Sequence, residues 1–71
     1  MSEPLDVAIR GDTIRLGQLL KLAGVAESGA RARELVQEGE VRVNGEVDTR
    51  RGRQLHPGDL VQVGAQTVRV R

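Results

Sequence analysis

The 71-residue chain lacks cysteine, phenylalanine, tyrosine and tryptophan, and it carries a single histidine, a single lysine and two prolines. The missing cysteines remove disulfides, thiolate metal sites and thiol nucleophiles together, and they suit a cytoplasmic address. With one histidine and no cysteine there is no ligand set for zinc. Without aromatic rings the chain lacks the usual platform on which single-strand binders stack bases, so a nucleic acid held by it is expected to be read through backbone and shape. No stretch approaches the ~18 consecutive apolar residues of a membrane span. The first ten residues mix acidic side chains with apolar ones, which is unlike a signal peptide. Neither GxxxxGK[ST] nor GxGxxG occurs, so no phosphate loop of those types is expected.

What is present is aliphatic and charged: 38 % of residues are hydrophobic and 30 % are charged, which reads as one small globular domain over residues 1–71. A chain of this length buries only roughly 60 % of its unfolded surface, so the core must be small and tightly specified. The net charge of +1 predicts no partner. Its distribution says more, because Glu34 to Glu40 holds three carboxylates and no base, while Arg50 to Gly58 holds three arginines and no acid. Ten of the eleven basic residues are arginine, the planar donor suited to forking onto phosphate or carboxylate; a GC-rich genome would produce the same bias.

Leu5, Val7 and Ile9 alternate with Asp6, Ala8 and Arg10, predicting a short edge strand over 5–10 that stops at Gly11-Asp12. TIRLGQLLKLAG places Leu16, Leu19, Leu20 and Ala23 at helical spacing, a helix of about ten residues capped by Gly24. Ser28 suits the N-cap of a second helix running to Gln37 or Glu38, with Ala32, Leu35 and Val36 as its apolar stripe. Two such helices form a hairpin that cannot hide its own apolar face, so the strands that follow must complete the core. At Val41 the period changes from 3.6 to 2. Asn44-Gly45 favours a two-residue turn, yet that turn would pair Val43 with Glu46 and Val41 with Asp48. A three-residue loop, Val43-Asn44-Gly45, pairs Val41 with Val47 and Arg42 with Glu46, and is the expected form. His56-Pro57-Gly58-Asp59 is a second turn, and two last strands flank Gly64-Ala65-Gln66, the final one over 67–70.

Candidates for chemistry are few. His56 precedes a proline in a turn and has no partners for a triad; Ser2 is terminal and Ser28 is better explained as a cap. Glu38 and Glu40 flank a helix end and read as a solvated face. Recognition is left. Arg50, Arg51 and Arg53 have no acidic neighbour in their own stretch, and their guanidinium groups can fork onto phosphates. Arg31 and Arg33 lie about 200° apart around the second helix, so only one can face the same ligand. Arg31, nearer the helix N-terminus and its free amides, is the expected one. Arg42 and Arg15 have simpler roles available, Arg42 pairing with Glu46 and Arg15 solvating a helix.

AGVAESGARARELVQEGEVRVNG, followed by TRRGRQLHPGD, resembles the RNA-binding domain named after ribosomal protein S4, closest to small stand-alone bacterial members of the YbcJ/YaaA type. The likeness covers a core motif over residues 14–63. It implies an α+β fold (the S4-like, or αL, motif) in which a helical hairpin packs on a small, bent antiparallel sheet, with the second helix and first hairpin forming an RNA-binding groove. By position it implies contacts from Lys21, Ser28, Arg31, Arg33, Arg42, Asn44 and the stretch Thr49, Arg50, Arg51 and Arg53. Gly29 departs from the pattern, since many members place an arginine there, and this moves weight to TRRGR. None of the catalytic domains to which this module is often joined is present. The expected activity is therefore binding without turnover and without a cofactor, by a cytoplasmic monomer whose partner is structured RNA, ribosomal RNA or a ribosomal subunit ahead of tRNA. Two rival readings are DNA binding by a helix-turn-helix-like pair, whose second helix would offer only Ser28-Gly29-Ala30 to base edges, and a protein adaptor using the acidic 34–40 face.

Overall fold

A computed structural model describes residues 4–71; Ser2 lies outside the described residues. The elements run β1 (Leu5–Val7), β2 (Ile14–Arg15), α1 (Leu16–Leu22), α2 (Gly29–Gln37), β3 (Val41–Val43), β4 (Glu46–Val47), β5 (Gln54–Leu55), β6 (Leu60–Val63) and β7 (Gln66–Val70). One five-stranded sheet has the order β1-β7-β6-β3-β4, and β2 pairs with β5 in a separate two-stranded ribbon. The fold is α+β, as expected, but the larger sheet is mixed: β1 lies parallel to β7 and every other pairing is antiparallel. The final strand returns beside the first, and its pairing continues past β1 through Arg71 N donating to Val7 O and Ile9 N donating to Arg71 O.

Period-2 alternation builds the inner face of this sheet. Val41 and Val43 of β3, Val61 of β6, and Val68 and Val70 of β7 are all buried, while Arg42, Gln62 and Arg69 point away. Val43 stands opposite Val61 and Val61 opposite Val68, so one row of β-branched side chains crosses three strands. Against the valines pack Leu16, Leu19 and Leu20 of α1, and Ala32, Leu35 and Val36 of α2, joined by Leu55 from the ribbon. Aliphatic burial alone fills this core.

The first helix is shorter than its periodicity suggests. Ile14 and Arg15 are in strand β2, opposite Leu55 and Gln54, because the backbone of β5 pairs with theirs while Leu55 anchors the ribbon in the core. The helix begins at Leu16 and ends through Ala23, with Gly24 in the left-handed region (φ 75°). The second helix matches its expected bounds, and the Ser28 hydroxyl accepts from Arg31 N at 3.1 Å. No helix among the described residues is long and apolar enough to cross a membrane.

The three-residue loop does not form. Arg42 pairs with Val47 and Val43 with Glu46, leaving the two-residue turn Asn44-Gly45 with both residues at positive φ (51° and 89°). The mismatch that counted against this register is harmless, because Glu46 on the two-residue edge β4 is exposed, while Asp48, beside Val41, is buried with its carboxylate bound by Arg50 and Arg53. Arg42 and Glu46 are accordingly not opposite one another. Asn44 is instead bound to the next turn: its Oδ1 accepts from Leu60 N at 3.0 Å, its Nδ2 donates to Asp59 Oδ1 at 3.2 Å, and Asp59 Oδ2 accepts from His56 N at 2.8 Å.

Asn44→Ala loses two hydrogen bonds and puts alanine, which tolerates the left-handed region less well than asparagine, at a positive φ, so it should cost about 2 kcal/mol. Asn44→Gly keeps the backbone freedom and should cost less, and Ser28→Ala should cost about 1 kcal/mol through the lost cap. Urea unfolding of the three variants checks this order; equal midpoints for Asn44→Ala and Asn44→Gly would contradict the conformational part.

Candidate nucleic-acid interface

The basic stretch after β4 is organised by Asp48, the one polar or charged residue buried among those described, at 5 % exposure. Its Oδ1 accepts from Arg50 N at 2.9 Å, closing a turn of side chain on backbone, and from Arg50 Nε at 3.2 Å. Its Oδ2 accepts from Arg50 Nη2 at 3.0 Å and from Arg53 Nη1 at 2.8 Å. The carboxylate is thus gripped edge-on by one guanidinium and end-on by another. The expectation that Arg50 and Arg53 lack an acidic partner is overturned: Asp48 sits two residues before the first of them, and the chain turns back upon it. Asp48 N also donates to Val41 O at 3.0 Å, which is the Val41–Asp48 proximity that the two-residue turn requires.

Arg51 is left out of this cluster. Arg53 N donates to Arg50 O at 3.1 Å, closing a tight turn with Arg51 and Gly52 at its tip. Two carbonyls of the turn then face the start of α1: Arg53 O accepts from Leu16 N at 2.9 Å and Arg51 O from Gly17 N at 3.0 Å. These satisfy amides that a helix start leaves without intrahelical partners. A β-carbon on Gly17 would stand only 3.6 Å from Arg51 O, in ordinary contact. The basic loop is therefore fixed at one end by a buried carboxylate and at the other by the first turn of α1.

Between this loop and the two helices runs an open groove of about 260 Å³, lined by Arg15, Lys21, Arg33 and Arg51 with Gly17, Gln18, Gly29, Ala32 and Gly52. It contains four cations and no acid. None of the four has a carboxylate within 4.0 Å among the described residues, whereas Arg31 pairs with Glu34 at 3.7 Å, and Arg69 and Arg71 both pair with Asp6. Glycine on α1, on α2 and in the loop keeps the walls low, and Gly29 lies against the Lys21 stem. The groove opens at the N-terminal end of α2, where the helix dipole favours an anion.

The ten residues expected at the interface separate. Lys21, Arg33 and Arg51 line the groove. Of the two arginines on α2 it is Arg33 that does so; Arg31, the expected one, turns to Glu34, because the apolar stripe Ala32, Leu35, Val36 sets the helix rotation and leaves Arg33 on the loop side. Arg50 is 73 % exposed at its side chain and borders the loop while held by Asp48; Arg53, at 31 %, is more nearly a structural clamp. Thr49 lies exposed between Asp48 and Arg50. Ser28 caps α2 and Asn44 ties two turns together, so both polar groups have partners within the fold. Arg42 lines a different depression on the outer face of the sheet, with Gly39, Glu40, Gln62 and Gly64. Arg15, read from sequence as helix solvation, belongs to the groove because strand β2 aims it there.

The Arg50 guanidinium holds the Asp48 carboxyl well below the usual carboxylate range; burial opposes this, and Arg53 and the Arg50 amide reinforce it. A carboxyl lowered on folding stabilises the native state fully above its unfolded value of about 4, and that stabilisation is lost as pH falls from there through the folded value. Urea midpoints measured from about pH 6 down to about pH 2 should fall more steeply for the parent than for Asp48→Asn. Parallel curves would show that the carboxylate contributes nothing on folding.

The S4 domain family matches residues 7–71. The chain is 49 % identical over 57 residues to a Bacillus subtilis protein named "Probable ribosome maturation protein RlbA", covering 80 % of each chain. It is 40 % identical over 57 residues to YbcJ of Escherichia coli, covering 80 % of this chain and 81 % of that one. The small ribosomal subunit protein uS4m of Schizosaccharomyces pombe is 46 % identical over 54 residues, 76 % of this chain but only 16 % of that longer protein. The solution structure of E. coli YbcJ, described as revealing an ALFAL motif involved in RNA binding, superposes with a TM-score of 0.74 at 35 % identity over 99 % of this chain and 90 % of that one. The chain belongs to the S4 domain family.

Proposed function

We propose that this chain acts as a single, non-catalytic RNA-binding module of the cytoplasm, and that its ligand is structured RNA, with ribosomal RNA, free or within a ribosomal subunit, the first candidate and tRNA the second. The observation that carries this is the groove: Arg15, Lys21, Arg33 and Arg51 surround one concavity without an acid in its lining. Cationic groups on strand β2, on both helices and on a fixed loop suit the phosphates of a backbone, which carry affinity and register and no sequence information. The missing aromatic residues favour paired or folded RNA, recognised by phosphate and 2′-hydroxyl geometry, over an unpaired strand that must be stacked. Family relatives named for ribosome maturation and for the small ribosomal subunit support a ribosomal ligand.

Lys21→Glu, Arg33→Glu and Arg51→Glu should each weaken binding to a folded ribosomal RNA fragment. Each should also flatten the dependence of log K on log salt, by about 0.7–0.9 for every phosphate that is no longer neutralised. Arg42→Glu, outside the groove, should change both quantities less. Filter binding across a salt series reads this; a groove triple variant that binds as the parent does would remove the reading.

A further inference from the structure

The geometry points to Asp48 as a positioning residue for RNA recognition: an acidic side chain that strengthens the binding of a polyanion by fixing where Arg51 stands. This rests on the groove being the RNA site. Asp48 cannot touch a ligand in the groove, since it is buried and its carboxylate is taken up by Arg50, Arg53 and the backbone. Its two oxygens accept four hydrogen bonds, and those bonds set both ends of the Arg50–Arg53 turn. The turn's carbonyls meet Leu16 N and Gly17 N, so the tip bearing Arg51 and Gly52 has one place to be, across the groove from Lys21 and Arg33. The three arginines of the loop thereby divide the work. Arg50 and Arg53 hold the turn, and Arg51, with no carboxylate of the described residues within 4.0 Å, presents its guanidinium outward. Holding a flexible cation in its bound position lowers the ordering cost of association.

The sign of the effect distinguishes this from bulk electrostatics. Removing Asp48 raises the net charge from +1 to +2 and frees two guanidinium groups, so a protein attracting RNA by charge alone would bind more tightly. Positioning requires the opposite. Asp48→Asn tests it with little change of shape, since the amide oxygen can still accept from Arg50 N while the forked grip is lost; Asp48→Ala removes the turn altogether. Binding of both to a folded ribosomal RNA fragment is measured well below each variant's thermal midpoint, alone and combined with Arg51→Ala. The expected result is a loss of affinity of about tenfold for Asp48→Ala and a smaller loss for Asp48→Asn, each shrinking to less than about twofold when Arg51 is already alanine. Equal or tighter binding by Asp48→Asn, or a loss that persists undiminished without Arg51, overturns the inference, and either result leaves the groove reading intact if Arg51→Ala alone weakens binding. A parent that binds no RNA, or an Arg51→Ala that binds as the parent does, removes the groove reading and this inference with it. If Asp48→Ala does not fold, the Asp48→Asn pair of measurements decides.

Discussion

One buried carboxylate organises the basic half of this molecule. Asp48 lies where a strand should end in solvent, at the edge of a sheet whose buried side chains are all valine, and it is tolerated there because two guanidinium groups reach it from the following turn. Burial without them would be costly, and with them the carboxyl stays ionised. The consequence extends beyond a local ion pair. A turn wound around Asp48 exposes its carbonyls to α1 and its tip to the groove, so the start of the first helix, the shape of the basic loop and the separation of Arg51 from its neighbours all follow from the same carboxylate.

The aliphatic core supplies the frame in which this can operate. Leucines from α1, the Ala32-Leu35-Val36 stripe of α2 and cross-strand valines meet without an aromatic ring among them. Because that stripe is buried, the rotation of α2 is fixed, and with it the choice of Arg33 over Arg31 for the groove. Core packing here determines which charge lines the groove. The near-neutral total charge hides a sharp sorting: Asp6, Glu34 and Asp48 each hold arginines elsewhere, and four cations are left together in one concavity.

Much of this is legible in the sequence. The Ser28 cap, the bounds of α2, and the turns at Gly58 and Gly64 follow from local chemistry that tertiary structure does not override, and an N-terminal edge strand is present but spans Leu5–Val7 and not the expected 5–10. The departures share a cause, which is pairing between distant segments. Helical spacing at Ile14 and Arg15 does not reveal that Leu55 and Gln54 pair with them. Alternation in Val41–Val47 implies a buried face for β4, whereas β4 is an exposed edge. The parallel pairing of β1 with β7 joins the two ends of the described chain and leaves no local trace. For the candidate interface, the basic stretch is visible in the sequence but its partition is not. An aspartate two residues before an arginine, just beyond an edge strand, is the one signal that indicates a side-chain turn and a clamped Arg50.

Whether RNA meets the groove between α1, α2 and the Asp48-held loop is tested most directly by NMR, titrating isotope-labelled protein with a folded ribosomal RNA fragment and mapping the amide and arginine side-chain shifts. Large perturbations at Gly17, Lys21, Gly29, Arg33, Arg51 and Gly52, with small ones at Arg42, Gln62 and Gly64 on the outer face of the sheet, are the predicted result. The reverse pattern, with the sheet face perturbed and the groove silent, would contradict it.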